Sequence, residues 1–405
     1  MTRARRLGKT GSLIVLVLCE VGGMSVWFSA AAIVGIIEQS HTASSWQITL
    51  LTSAVQAGFV FGTISSALLA LADRYDPRHL FALSALTAGL ATGCLALLEP
   101  VGPAVIILRF VTGACMAGVY PVGMRLAASW AKGDLGLLIG ILVGALTLGS
   151  AAPHGLAAVG GWSWRAVYGI AASLACLSGI AILACTVGPN LTRAARINLD
   201  ALAEIWRNKA IRLANLGYLG HMWELYAMWA WLAVFLQSSF LARALLQPRR
   251  DAEILAAAAI GAGAVGAWLG GVLADRLGRT AVTIGAMAAS GTCAVVMGLS
   301  FGGPVWIVAP IAILWGITVI ADSAQFSASI AELSAPASVG TLLTAQTCAG
   351  FLLTLVSIHL VPVLVSRFGW AGAFSTLAGG PLLGCIAMAQ LRGHPDSRKL
   401  AGGRR

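Results

Sequence analysis

The chain has 405 residues, 58% of them hydrophobic and only 10% charged, with a mean hydropathy of +0.86 and a formal net charge of +11. A soluble globule carries about 25% charged residues, so this composition excludes an ordinary soluble enzyme or binding module and predicts a bundle of membrane helices. Neither a P-loop nor an HExxH segment occurs, which argues against ATP drive and zinc hydrolysis, and no basic-aromatic pattern points to nucleic acid.

In chain order, a basic tail (1–11, with Arg3, Arg5, Arg6 and Lys9) precedes an apolar run at 12–37. A signal peptide is the competing reading, but the run is long for one and carries Glu20 midway. Further apolar runs cover 47–72, 79–98, 103–131, 135–159 and 164–187. A polar linker at 188–211 follows, in which Asn198 or Asp200 caps a short amphipathic helix bearing Leu199, Leu202, Ile205 and Trp206. Six more runs cover 212–241, 252–274, 280–299, 304–331, 337–366 and 370–391, ahead of a basic tail at 392–405. The expectation is therefore twelve spans in two six-helix bundles, 12–187 and 212–391. If the N-terminus is cytoplasmic, 20 of the 26 lysines and arginines fall on that side, which predicts an inner-membrane protein with both termini cytoplasmic.

All eight cysteines lie within apolar runs without CxxC or Cys/His spacing, so they read as packing residues, with no metal site or disulfide. Gly261–Gly266 matches GxGxxG, but inside an apolar helix with no preceding strand; it reads as helix packing, and no cofactor is expected.

Two charged turns interrupt the apolar pattern, Asp73-Arg74 through Arg78 and Gly271 through Asp275-Arg276 to Arg279, with Asp275 following Asp73 by 202 residues. Charges this dense belong at a membrane face. The second turn, Gly271-Val-Leu-Ala-Asp275-Arg276-Leu-Gly-Arg279, resembles the signature loop of the major facilitator superfamily of membrane transporters. The first is a degraded copy, with Leu69 in place of glycine and Asp76-Pro77 in place of Gly-Arg. Arg109 with Gly113 and Gly118 resembles the family's signature on the fourth helix, whereas the glycines of the fifth run only loosely resemble an antiporter motif. The resemblance implies an all-α fold of two pseudo-symmetric bundles, a central cavity lined by the first, fourth, seventh and tenth helices, and charged loops that close the inner side.

An ionisable residue inside a span costs about 2.5–3.5 kcal/mol on insertion scales and needs a reason. Glu20, Arg109, His221, Glu224 and Asp322 fall on those four helices, while His154 and His359 do not. At 1.5 Å per residue, Glu20, Glu224 and Asp322 lie ~13–16 Å from the inner ends of their helices, near the midplane where transporters bind solute and coupling ions. Trp27 and Trp231 each follow a span carboxylate by seven residues on the same face. Tyr120 shares the Arg109 face, and Gln325 follows Asp322 by one turn. These residues are the candidate solute and proton site, with the three carboxylates expected to converge on one aqueous cavity. The function expected is secondary transport of a small, charged solute coupled to protons, by a monomer that is not an enzyme. An efflux antiporter for amphipathic drugs is the alternative, and a non-transporting receptor the remote one.

Overall fold

Lipid cannot hydrogen-bond a peptide group, so each apolar run must find partners for its backbone within the protein; among the described residues the runs do so mainly as helix. The computed structural model describes residues 7–404 apart from 41–43, 133, 160, 161 and 192–198; the side chains of 38–40, 45, 73, 135 and 199 are also outside the description.

In the first half, α1 (Lys9–Met24) breaks after Gly22-Gly23, passes a short 3-10 turn (Ala31–Ile33) and resumes as α2 (Val34–Ser40). A capping box between Ser44 and Gln47 opens α3 (Ser45–Leu68). The charged turn forms α4 (Leu71–Arg74), and Asp76 caps α5 (Pro77–Leu95) with Pro77 in its first turn. The fourth span bends where α6 (Pro103–Met116) gives way to α7 (Tyr120–Ala128), with Gly118 and Pro121 at the join. The half closes with α8 (Leu135–Ala158) and α9 (Trp164–Ala181). In the linker, a 3-10 turn (Leu199–Ala203) and α10 (Glu204–Arg207) stand where one amphipathic helix is expected; Asn198 lies outside the described residues. Leu202 and Trp206 are exposed, as the apolar face of such a helix would be.

The second half holds α11 (Lys209–Ala242), α12 (Pro248–Leu277), α13 (Arg279–Leu299), α14 (Val305–Ala321), α15 (Ser323–Leu333), α16 (Val339–Leu377) and α17 (Gly379–Gly393). Nine helical stretches among the described residues are long and apolar enough to cross a membrane. The last, Val339–Gly393, is interrupted by Gly369 at φ 67° and ψ −178°, a conformation open to glycine because it has no Cβ. Before the break the chain runs along α11, Gly350 at Tyr218 and Ile358 at Trp231; after it the order reverses, Phe374 at Phe235, Gly380 at Gly220 and Met388 at Gly217. That stretch thus holds two antiparallel spans; with α1–α2 and α5 the arrangement is consistent with twelve.

Both ends of the described chain lie on one face, here the termini face. Ser12 bonds Thr186 beside Cys185, whose carbonyl accepts from Arg78, and Lys9 pairs with Asp134 at 2.6 Å. At the other end, Ala401 donates to Glu332 and Arg404 to the Asp275 carbonyl.

The internal repeat is written in glycine contacts. A Cβ on Gly62 would meet the Ala114 carbonyl at 2.2 Å, and one on Gly266 the Ile317 carbonyl at 2.0 Å. Likewise Gly113 sits on the Val55 carbonyl at 1.9 Å and Gly316 on the Ala259 carbonyl at 1.8 Å. The second and fourth spans therefore cross as the eighth and tenth do, at backbone contact that only a small residue permits. The halves meet along α8 with α12 and α3 with α16. On the α8–α12 seam, Gly144 faces Ala264, Gly261 faces Ala151 and Gly263 faces Thr147. Gly316→Val should lower the melting temperature by several degrees, since overpacking costs about 1–3 kcal/mol; Gly285→Ala, where an added Cβ has nothing within 4 Å, should leave it unchanged in the same thermal-shift measurement.

Candidate functional site

The titratable groups of the spans divide between the halves. Glu20 is fully buried on α1 and points at the fourth span, where a Cβ on Gly123 would come within 2.4 Å of its Oε2. Among the described residues, neither of its oxygens has a hydrogen-bond partner. Its counterpart Glu224, equally buried on α11, is fully held: the Ser290 hydroxyl donates to Oε2 at 2.8 Å and the Trp315 indole to Oε1 at 2.7 Å. Asp322 occupies the break between α14 and α15, where His221 Nδ1 lies 2.9 Å from its Oδ1. That pair is within ion-pair distance but not aligned as a hydrogen bond.

Of the three carboxylates expected at one site, Glu224 and Asp322 lie near each other in the second half and Glu20 lies in the first. No described contact joins Glu20 to Glu224 or Asp322, and the two cavities that stand out are lined by none of them. The repeat is visible here: each half turns its own carboxylate inward, toward its own fourth or tenth span. Between them, where the halves touch, lies an apolar plug. Trp27 packs on Phe59 and Phe351 at 5.0 and 5.6 Å between ring centroids, and Tyr226 on Phe351 at 4.8 Å. Trp27 is buried there, its indole N–H without a partner among the described residues, and Tyr120 is half-buried on α7.

Three other candidates have structural occupations. Arg109 is completely buried, and the guanidinium holds the break in the first span. It donates to the Val26 carbonyl at 2.8 Å, Ser29 Oγ at 3.1 Å, the Trp27 carbonyl at 2.5 Å and the Leu51 carbonyl of α3 at 3.0 Å. A membrane cannot hydrate these freed carbonyls, so a cation does. Trp231 donates to the Ile358 carbonyl at 3.0 Å and is buried between α11 and α16. Gln325 accepts from Arg279 at 2.7 Å, on the termini side of the tenth span.

The charged loops behave differently in the two halves. Arg279 clamps Glu332 of α15 at 2.7 Å and lies 3.8 Å from Asp275 of its own loop. Arg276 is exposed, and an added Cβ on Gly271 has nothing within 4 Å. In the first loop Arg78 pairs with Asp76 at 2.6 Å, and that hydrogen bond holds the Asp76 carboxyl below its usual range. Arg74 is exposed, and the Asp73 side chain lies outside the described residues.

One pair escaped the sequence reading. His154 Nδ1 of α8 lies 2.6 Å from Glu253 Oε2 of α12, both buried, bridging the halves on the face opposite the termini. The available signal was His154 itself, an ionisable residue inside a span that sits on neither a first, fourth, seventh nor tenth helix; Glu253 stood too near a run's edge to be counted. On that same face the 3-10 turn Ala31–Ile33 and α2 pack on α11, and Trp46 packs on His359 at 4.7 Å. Gly298–Gly302 carries G-x-S-x-G spacing, yet Ser300 ends α13 and its hydroxyl donates to the Val296 carbonyl, so it forms no nucleophile elbow.

A family model described as Major Facilitator Superfamily matches residues 15–247. The chain belongs to the major facilitator superfamily. It is therefore a multi-pass membrane transporter of a solute and not an enzyme. Among solved structures, a variant of the nucleoside transporter NupG matches this superfamily member with a TM-score of 0.74 at 13% sequence identity, covering 95% of this chain and 100% of that one. No curated protein sequence matches it.

Arg109→Gln removes most of four hydrogen bonds from buried acceptors, each worth about 1–3 kcal/mol to leave unmade. The variant should lose thermal stability in detergent by well over ten degrees or fail to fold, where Arg74→Gln on the surface shows a change under two degrees, both read by a fluorescence melt.

Proposed function

We propose that the protein is a secondary transporter that moves a small solute by alternating access, coupled to protons through Glu20. The observation that carries this reading is the difference between two symmetry-related carboxylates. Glu224 has a donor on each oxygen, whereas Glu20 is as deeply buried and has none among the described residues. A buried carboxylate without a fixed partner can take up and give back a proton, or a donor group of the solute, as access alternates. His221 and Asp322 form the second exchangeable pair, on the seventh and tenth spans.

The solute inferred is neutral or cationic. Arg109, the one arginine buried at this depth among the described residues, has its donors committed to backbone and Ser29, while Glu20 and Asp322 leave the centre acidic. That departs from the charged solute of either sign expected from the sequence by setting anions aside and admitting neutral solutes, and it gives the efflux of cationic amphipathic compounds a specific support in the aromatic plug around Trp27. NupG is a nucleoside transporter with the same fold, so nucleosides belong in the first panel of solutes tested. The distribution of lysine and arginine supports a cytoplasmic termini face in an inner membrane, with the protein acting as a monomer.

A solute panel screened by thermal shift and then by uptake into proteoliposomes tests the assignment. Glu20→Gln should abolish accumulation driven by a pH gradient while counterflow exchange persists at a third or more of wild type; full gradient-driven accumulation in that variant would reject Glu20 as the proton site. The face opposite the termini is held by a buried pair whose rupture costs about 3–5 kcal/mol. His154→Ala and Glu253→Gln should each raise the labelling rate of a cysteine placed at Ala157 at least tenfold, and unchanged labelling in both would show that the pair holds no gate.

A further inference from the structure

Glycine keeps the seventh and twelfth spans at backbone contact. A Cβ on Gly220 would meet the Gly380 carbonyl at 2.4 Å, and one on Gly384 the Gly217 carbonyl at 3.2 Å. The same missing side chains leave a furrow along the outer surface of the crossing, a crevice of about 650 Å³ between α11 and α17. Leu216, Leu383 and Ile386 line it and are exposed, so it opens toward lipid. The α11 wall is one helical stripe, Leu213, Leu216, Gly220 and Trp223. At 1.5 Å per residue that stripe rises roughly 15 Å, the depth of one leaflet of a ~30 Å hydrocarbon core. Trp223 closes the far end, its indole N–H donating to the Thr376 carbonyl at 3.3 Å and so presenting an apolar ring.

The end nearest the termini face is polar. Lys209 and Arg212 stand one turn ahead of Leu213 and Leu216, so they extend the lining stripe beyond the crevice. Gln390 of α17 lies at this end as well. Arg212 donates to the Trp206 carbonyl at 2.9 Å, and the Trp206 ring is exposed beside it, an aromatic anchor at headgroup level. Lys209 is exposed. Glu204, the acid nearest to them in the sequence, accepts from Ser338 of α16 at 3.1 Å. An apolar furrow one leaflet deep thus ends under two cations. A sterol or hydrocarbon would leave the cations unanswered, and a free anion would leave the furrow unanswered; a molecule with a negative head and a long apolar chain answers both.

We propose that this crevice seats one acyl chain of an anionic phospholipid from the leaflet on the termini face, with its phosphate held by Lys209 and Arg212. The chain packs on the back of α11, against Gly220 and Trp223, the neighbours in sequence of His221 and Glu224.

The test uses the full-length protein in phosphatidylcholine nanodiscs doped with phosphatidylglycerol. Native mass spectrometry of the released protein counts retained lipid, and a melt follows stability. Wild type should retain phosphatidylglycerol in preference to phosphatidylcholine, and Lys209→Gln should weaken that preference about fivefold. Lys209→Gln with Arg212→Gln should weaken it further, and should that pair fail to fold, the single variant at the exposed lysine decides. Gly379→Leu puts a side chain into the crevice at a position where an added Cβ has nothing within 4 Å. It should lower retention of both lipids while melting in detergent as wild type does. Arg276→Gln, on the same face away from the crevice, should bind as wild type does. An unchanged preference in Lys209→Gln would overturn the headgroup seat, and unchanged retention in Gly379→Leu would show annular lipid only and overturn the crevice. Stabilisation by millimolar inorganic phosphate equal to that by phosphatidylglycerol would overturn the lipid assignment.

Discussion

The architecture depends on a guanidinium that replaces water inside the bilayer. A helix that breaks at membrane depth leaves carbonyl groups that lipid cannot satisfy. Here α1 stops after Met24, and the Arg109 side chain takes the Val26 and Trp27 carbonyls together with Leu51 of the neighbouring span. One residue thus ties the first, second and fourth spans at one height. Because the break is held open, the chain beyond it can lean over α11, and that lean brings α2 onto the other half. The contact is close: a Cβ on Gly35 would fall 2.2 Å from Gln237 Oε1.

From that tie the two halves follow one plan with different occupants. Glycine lets the second and fourth spans, and the eighth and tenth, meet at the backbone. Each half then keeps a carboxylate on its first helix facing inward. In the second half Ser290 and Trp315 have closed around it; in the first the facing residue is Gly123, which offers no side chain at all. A duplicated unit has in this way become one half whose acid is held by two donors and one half whose acid has none among the described residues.

The sequence made the scaffold legible because lipid enforces it. Run lengths, the offset of Asp73 and Asp275 and the Arg109 signature required only composition and spacing, and the boundary before Trp370 appears in the structure as the Gly369 turn. The fine occupancy of the site was not legible. Helical periodicity says which residues share a face but not which helix lies opposite, so Glu20 and Glu224 read as equivalent. Arg109 read as a charge in search of a ligand because the break at 25–30, whose carbonyls it binds, has the apolar composition of ordinary span. His154 and Glu253 are on different spans with no sequence relation, and only the crossing of α8 and α12 makes them partners.

The α8–α12 seam has a mechanical consequence. From Gly140 at Ala267 through Gly144 at Ala264 to Ala151 at Gly261, glycines and alanines face one another, with Thr147 and Leu148 among them. Such a surface has low relief, so one helix can slide along the other without lifting over ridges or opening voids. Sliding of this kind changes the cross-section of the molecule at one leaflet relative to the other. A seam of this kind would let the lateral pressure and thickness of the bilayer bear on the balance between states, alongside the solute.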